Sequence, residues 1–546
     1  ALTLVRATRA LEHKCAMAPS ASEALPVFAL GTETSLRKLP PDDWQYSMER
    51  VVSLAGARCE RESGQVVVAS LGEPLQGVTV DWTPLTSAAG ATIARERVEV
   101  RRVGYVSTRR PVYPVERVGR WPDPLMPPTA FDVPAGEVQP LWVTVSIPAD
   151  AVPDTYRGTV SVSVPGEEAQ SVALSVNVWE LSLPVRGRFK TAFGMVFEGD
   201  VSQWYGWEED PGPEVRRRFC DVLLRNRVSP AGLYVGRSWP PPEDVAWCRE
   251  RGMSAVSLGN LGAATPERLA ALAEDARGLS DAGLLEHAYV FGAGSLLPDG
   301  VARSAEAFDR VRRVLPGIRR ACPVSPTRPL WGHVNLWGTL VSDYDHISAQ
   351  RRRYLGDEVW WYVCCGPRHP YPNLFIDYPA TDARVLFWAA HKYGVTGFFY
   401  YEVAMWASNM QWEDVGDPSI ALHDDPQALA GLREGKRWPE VRWNAFTFSR
   451  YNGDGQLIYP GPEATPIPSL RLEVVRDGIE DYELLVLLED YARLLKERDP
   501  AGKYAFLVNE AMQMANASTA VVEDLTHFTS SPEVILAQRA AVAHQA

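Results

Sequence analysis

The stretch from Glu358 to Trp406 constrains the fold more than any other. It opens on Val359, Trp360, Trp361, Tyr362 and Val363, and it closes on Gly397, Phe398, Phe399, Tyr400, Tyr401, Glu402 and Val403. Both are short apolar runs rich in β-branched and aromatic residues, the pattern of a strand. Between them, helical spacing puts Val385, Leu386, Trp388 and Ala389 on one face. A strand, a helix and a strand at this spacing make a βαβ unit, whose two strands must pair in parallel. Strands apolar on both faces are covered on both sides. In a closed α/β barrel the chemistry sits where strands end and loops begin. Glu402 stands at such an end, among aromatics.

The rest of the chain extends this unit on both sides. Short apolar runs that alternate with helical stretches give eight candidate strands, at residues 189–197, 231–235, 255–258, 287–291, 330–334, 340–344, 359–365 and 397–403. Helical patterns at 213–225, 266–282 and 305–314 lie between them, which predicts a (β/α)8 barrel of the TIM type. Upstream, residues 1–178 read as all-β. Candidate strands there are 65–68, 97–100 and 141–145, and 156–164 shows the clearest alternation. Many short strands punctuated by Pro and Gly predict a β-sandwich. Residues 106–134, rich in proline, read as a long loop or ordered arm. Downstream, Gly453, Asp454 and Gly455 form a tight turn, and residues 469–495 read as a long helix with Ile479, Tyr482, Leu485, Val486 and Leu488 along its core-facing stripe. Gly478 marks either close packing or a break there, with Asp477 and Glu480 at capping-box spacing if the helix restarts. The expected multidomain division is a β-sandwich over 1–180, a barrel over 181–468, and C-terminal helices with a tail over 469–546.

Composition narrows the partners. The 546 residues carry a net charge of −13, which argues against a nucleic-acid backbone. The arginine runs 216–218 and 351–353 read as solvated helix faces. Seven cysteines in a chain this long are no disulfide scaffold. Cys364 and Cys365, inside an apolar strand, read as buried thiols. No Cys or His spacing indicates a metal, so no metal or cofactor is expected, and no apolar run is long enough for a membrane span. The 18 Trp and 20 Tyr offer flat platforms for sugar rings, so carbohydrate is the expected partner. The chain begins at Ala1 rather than Met, as it would after loss of a targeting segment, and a secreted or secretory-pathway location is expected.

Several segments resemble glycoside hydrolase family 123 and the related domain-of-unknown-function family 4091. They are residues 471–483 (from Arg471-Leu472-Glu473 to Asp481-Tyr482-Glu483), the strand from Trp360 to Pro367, Pro372 to Asp377, and the turn Gly453 to Gly461. Residues 138–145 followed by Tyr156-Arg157-Gly158 resemble the sandwich domain of the same group. The resemblance implies a sandwich followed by a (β/α)8 barrel. It also implies a retaining β-N-acetylgalactosaminidase that uses the substrate's own acetamido group. An adjacent Asp-Glu pair then ends the fourth barrel strand, the Asp orienting the acetamido group and the Glu acting as general acid.

This chain departs from that pattern. Gly294 and Ser295 align with the acid pair. Neither side chain can donate a proton near neutral pH or carry charge. Glu402, Asp343, Asp345, Glu198 and Asp200 are the carboxylates placed to replace the pair, with Glu402 the expected catalytic acid if one exists. Trp337, Asp345, Trp361, Trp406 and Tyr459 are the expected substrate-binding residues. Three functions fit: a glycan-binding pseudoenzyme on a degenerate hydrolase barrel, an active exo-glycosidase on N-acetylhexosamine-type sugars with relocated carboxylates, or a structural subunit of an extracellular or large assembly with protein partners. Fold and chemistry are separable in barrels, so the family alone does not choose among them.

Overall fold

The computed structural model describes residues 26–292, 298–406, 450–516 and 518–546. The N-terminal part is a two-sheet sandwich. One sheet runs Phe28–Thr34, Arg61–Ser70, Val138–Ser146, Val98–Ser107, Arg120–Met126 in spatial order; the other runs Val51–Arg58, Gln170–Ser182, Thr155–Ser163, Leu75–Trp82, Phe131–Val133. Val66, Val68, Leu141 and Val143 of the first sheet bury against Val160, Val162, Val172 and Leu174 of the second. The alternation along Gln170–Ser182 leaves that sheet's outer face wet. The first sheet is covered on both faces instead: Val103, Leu125 and Trp142 belong to the large core shared with the barrel helices. The proline-rich segment expected as a loop contains a strand, Arg120–Met126. Its Pro122 and Pro124 are tolerated because the strand lies at the sheet edge, where a missing N–H breaks no ladder.

The barrel follows. Its eight strands are Lys190–Gly194, Pro230–Ala231, Val256–Asn260, Ala288–Phe291, Arg319–Cys322, Leu336–Leu340, Glu358–Val363 and Gly397–Tyr400. All pair in parallel, and the ladder runs from the second strand through the first and eighth round to the third. Asn260 spans the remaining gap: its backbone N–H donates to Val235 O at 2.6 Å and its side-chain amide to Leu233 O at 2.9 Å.

Two expected strands fall elsewhere. Residues 330–334 form a turn after a 3-10 segment, and 340–344 are largely 3-10. The fifth strand is Arg319–Cys322, which looks polar in sequence. Arg319 pairs with Glu358 at 2.5 Å and Arg320 donates to His333 O at 2.6 Å, so both guanidiniums are satisfied at the strand's edges. The arginine runs are not simply solvated either: Arg216 is buried against Asp244, and Arg352 against Asp357.

Helix Leu470–Arg498 joins the two parts. Ser469 caps it, its hydroxyl accepting from Leu472 N at 3.1 Å. It runs unbroken through Gly478. A Cβ there would lie 2.4 Å from the Phe387 ring, so glycine permits close approach to helix Ala380–Lys392. Of the two readings of Gly478, close packing is the one found, and Asp477 and Glu480 serve buried ion pairs rather than a cap. Arg471 takes Asp123 of the sandwich edge at 2.8–2.9 Å through two nitrogens. Asp481 accepts two bonds from Arg384 at 2.6 and 2.8 Å and one from Trp388 at 2.7 Å, and also takes Arg539 at 2.8 Å. Arg476 reaches back to Ser63 of the sandwich at 3.1 Å. Charges this deep are tolerated only when paired and hydrogen-bonded. Among the described residues no helix is long and apolar enough to cross a membrane.

Candidate active site at the barrel mouth

One apolar cluster draws on seven of the strands and on Ala255, just before the third: Ala192, Ala231, Tyr289 and Phe291, Ala321, Leu336, Trp360 and Phe399. Only the barrel interior can collect such a set, so it fixes which side chains face inward. Trp360 and Phe399 pack with ring centres 4.6 Å apart and, with Tyr289 and Phe291, plug the lumen. The period of two along the seventh strand then puts Tyr362 inward above Trp360, at the mouth, and Trp361 outward.

That parity turns two of the expected binding residues outward, and burial or capping accounts for the other three. Trp337 faces the outer helices; its indole N–H donates to Asp357 at 2.7 Å, and the same carboxylate takes Arg352. Trp361 packs edge-on to Tyr344 at 5.1 Å. Trp406 donates to Ile458 O at 3.0 Å among Trp204 and Tyr205. Tyr459 donates to Asp123 at 2.5 Å, inside the joint made by Arg471. All four are fully buried, so none offers a face to a sugar. Asp345 caps helix His346–Tyr354, accepting from Ser348 N at 2.6 Å, and this hydrogen bond holds its pKa below the usual carboxylate range. Gly294 and Ser295 lie outside the described residues.

Among the described residues, the aromatics open at the mouth are Tyr234, 55% exposed beyond the second strand, and the half-buried Tyr362. Tyr234 meets Phe291 edge-on at 6.1 Å. Asp343 is exposed beyond the sixth strand, within electrostatic reach of Tyr362. Glu198, beyond the first strand, is exposed and paired with Arg237.

Glu402 is 2% exposed and its carboxyl faces backbone. One oxygen accepts from Val196 N at 2.9 Å; the other accepts from Val403 N at 3.0 Å and Ala404 N at 2.9 Å. Burial pushes its pKa up to about 8, the nearby Asp200 adds to this, and the three N–H bonds pull the other way. Its oxygens tie the end of the first strand to the end of the eighth.

A further carboxyl was read in sequence only as part of a turn. Asp454 is fully buried, and neither oxygen has a hydrogen-bond partner of good geometry, although the equally unpaired Tyr401 hydroxyl lies beside it. Burial raises its pKa to about 8, and Cys365 adds to the shift. The seventh strand ends at Val363, so Cys364 is half-buried and Cys365 exposed at the rim, not buried within a strand as expected. Strand parity puts Tyr362 on the same face as Trp360, but that this face points inward comes only from packing. Nothing local marks Asp454, whose burial comes from packing between distant segments.

Comparison with known proteins places this architecture. The profile described as "Glycoside hydrolase 123 N-terminal domain" matches residues 32–164, and "Glycoside hydrolase 123, catalytic domain" matches 330–488; together they cover more than half of the chain. The chain belongs to glycoside hydrolase family 123. A solved family 123 glycoside hydrolase from Clostridium perfringens, whose title concerns glycolipid glycan hydrolysis, superposes with a TM-score of 0.67 at 12% identity, covering 95% of this chain and 97% of that one. This likeness shows a shared fold: the sandwich, the parallel barrel and the C-terminal helices. A Bacteroides ovatus GH5 xyloglucanase (TM-score 0.22, 8% identity, 83% of this chain and 100% of that one) and a Bacteroides uniformis beta-glucuronidase 2 (0.26, 8%, 69% and 47%) are too dissimilar to carry an argument. No curated protein sequence matches this family 123 chain.

Proposed function

We propose that this family 123 chain binds glycans at the barrel mouth without the family's acid-pair chemistry. The observation that carries this reading is the state of Glu402, the best-placed replacement acid: it is buried, and three backbone N–H groups occupy its oxygens. The alignment of Gly294 and Ser295 with the acid pair supports the same reading from sequence. Tyr234 and Tyr362 supply the stacking surface, and Asp343 an acceptor for sugar hydroxyls. The substrate class implied by the family is N-acetylhexosamine-terminated glycan. Calorimetric titration with N-acetylgalactosamine-terminated oligosaccharides, paired with a turnover assay on aryl N-acetylhexosaminides, tests it. Binding without release of aglycone is expected; absence of binding to the whole panel sinks it.

One observation favours a second reading, an active exo-glycosidase. Burial and the nearby Asp200 raise the pKa of Glu402, and a carboxyl with a raised pKa next to a second carboxyl is the arrangement a general acid needs. Under that reading the wild type releases sugar and Glu402→Gln does not.

A further inference from the structure

We propose that Cys364 and Cys365 form a peroxide-sensing dithiol on the rim of the barrel mouth, with Cys365 the thiol that is oxidised first and Cys364 the one that resolves it. The two sulfurs lie 3.9 Å apart, within hydrogen-bond reach. Cys365 is exposed and Cys364 half-buried directly beneath it. The other described cysteines differ: Cys220, Cys248 and Cys322 are buried, and Cys59 is half-buried with no second cysteine at its side among the described residues. An accessible thiol poised next to a resolving thiol is the arrangement of redox sensors.

The local charges favour this division of roles. The hydrogen bond from the Cys364 thiol holds Cys365 below the usual thiol range, at about 6, and Arg368 adds to the effect. The same bond pushes the Cys364 thiol up, with burial and Asp454 adding to it. The shift favours the thiolate at Cys365, the exposed sulfur, and the thiolate is the nucleophile.

The chemistry balances with a peroxide as oxidant. The Cys365 thiolate attacks one peroxide oxygen, the O–O bond breaks, and hydroxide leaves and takes up a proton to form water. Cys365 now carries a sulfenic acid. The Cys364 sulfur, losing its proton, attacks the Cys365 sulfur and displaces a second water. In sum, two thiols and one hydrogen peroxide give one disulfide and two waters. Adjacent Cα atoms are only about 3.8 Å apart, below the usual span of roughly 4.4–6.8 Å for a disulfide, so the ring is strained and readily reduced. Such a bond suits reversible control better than permanent stapling. It would form beside the open tyrosines, since Tyr234 and Tyr362 both lie within electrostatic reach of Cys364.

The test is peptide mass mapping of the full chain after one equivalent of hydrogen peroxide, with and without dimedone to trap sulfenic acid. In the wild type, the peptide holding both cysteines should lose 2 Da, recover with dithiothreitol, and react at least tenfold faster than Cys59. In Cys364→Ser the sulfenic acid has no resolving thiol, so dimedone should label Cys365; in Cys365→Ser neither product should form. Cys364→Ala serves as a second variant, with thermal midpoints confirming that each folds. Oxidation of Cys59 first, dimedone on Cys364, or a sulfinic acid on Cys365 without the 2 Da loss would overturn the assignment. None of these readouts depends on glycan binding, so the dithiol and the glycan reading can fail separately.

Discussion

Replacing Glu402 by alanine separates its two roles, as a backbone latch and as an acid. The change leaves the N–H groups of Val196, Val403 and Ala404 without acceptors at a position only 2% exposed. An orphaned buried donor costs about 1–3 kcal/mol. Three of them bound the loss at roughly 3–9 kcal/mol if the space stays dry. Water entering the vacated volume recovers part of this, and removing a buried carboxyl beside Asp200 recovers more. The expected net loss is about 2–4 kcal/mol. Urea unfolding followed by tryptophan fluorescence measures it, and hydrogen exchange should show faster exchange at Val196, where the first strand loses its tie to the eighth. An acid kept for chemistry predicts otherwise: stability unchanged or raised, exchange at Val196 unaltered, and sugar release abolished. A loss below about 0.5 kcal/mol would refute the latch.

Three further outcomes follow from the same structure. The folded pKa of Glu402 is raised to about 8, above its unfolded value, so its contribution is full below about pH 4 and is lost as pH rises towards 8, with a slope of up to about 1.4 kcal/mol per pH unit. The margin of the wild type over Glu402→Gln should therefore shrink between pH 5 and pH 8; a flat or growing margin would contradict the shift. Arg471→Met strands the Asp123 carboxylate in the joint between sandwich and barrel and should destabilise by about 3–5 kcal/mol, while Arg471→Met combined with Asp123→Leu should regain much of that in the same urea titration. Tyr234→Ala should weaken glycan binding about tenfold with little change in stability, one stacking contact being worth about 1–1.5 kcal/mol; Trp337→Phe should do the reverse, because its indole N–H holds Asp357 inside the outer helical layer.

The sandwich and the barrel were legible because most of their strands are apolar runs, alternating in the sandwich and set between helical patterns in the barrel. The sequence failed where other forces set the structure. Arg319 and Arg320 hid the fifth strand, since their charges are neutralised by Glu358 and by backbone carbonyls that no local pattern reveals. The aromatics chosen for sugar binding were mistaken for a related reason. Large rings mark a strand but not its inward face; only the packing of Trp360 with Phe399 and Leu336 in the lumen does that, turning Tyr362 into the mouth and Trp361 away. Asp454 reads as a turn residue because its burial comes from Tyr401 and the cysteine rim, distant in sequence. Gly294 and Ser295, expected at the acid-pair positions, lie outside the described residues.

The most direct test of glycan binding without cleavage is one calorimetric titration of the wild-type chain with an N-acetylgalactosamine-terminated oligosaccharide, followed by chromatography of the cell contents. A saturable binding isotherm with the oligosaccharide recovered intact is the predicted result. Free N-acetylgalactosamine in the cell, absent when Glu402→Gln is titrated in its place, would contradict it.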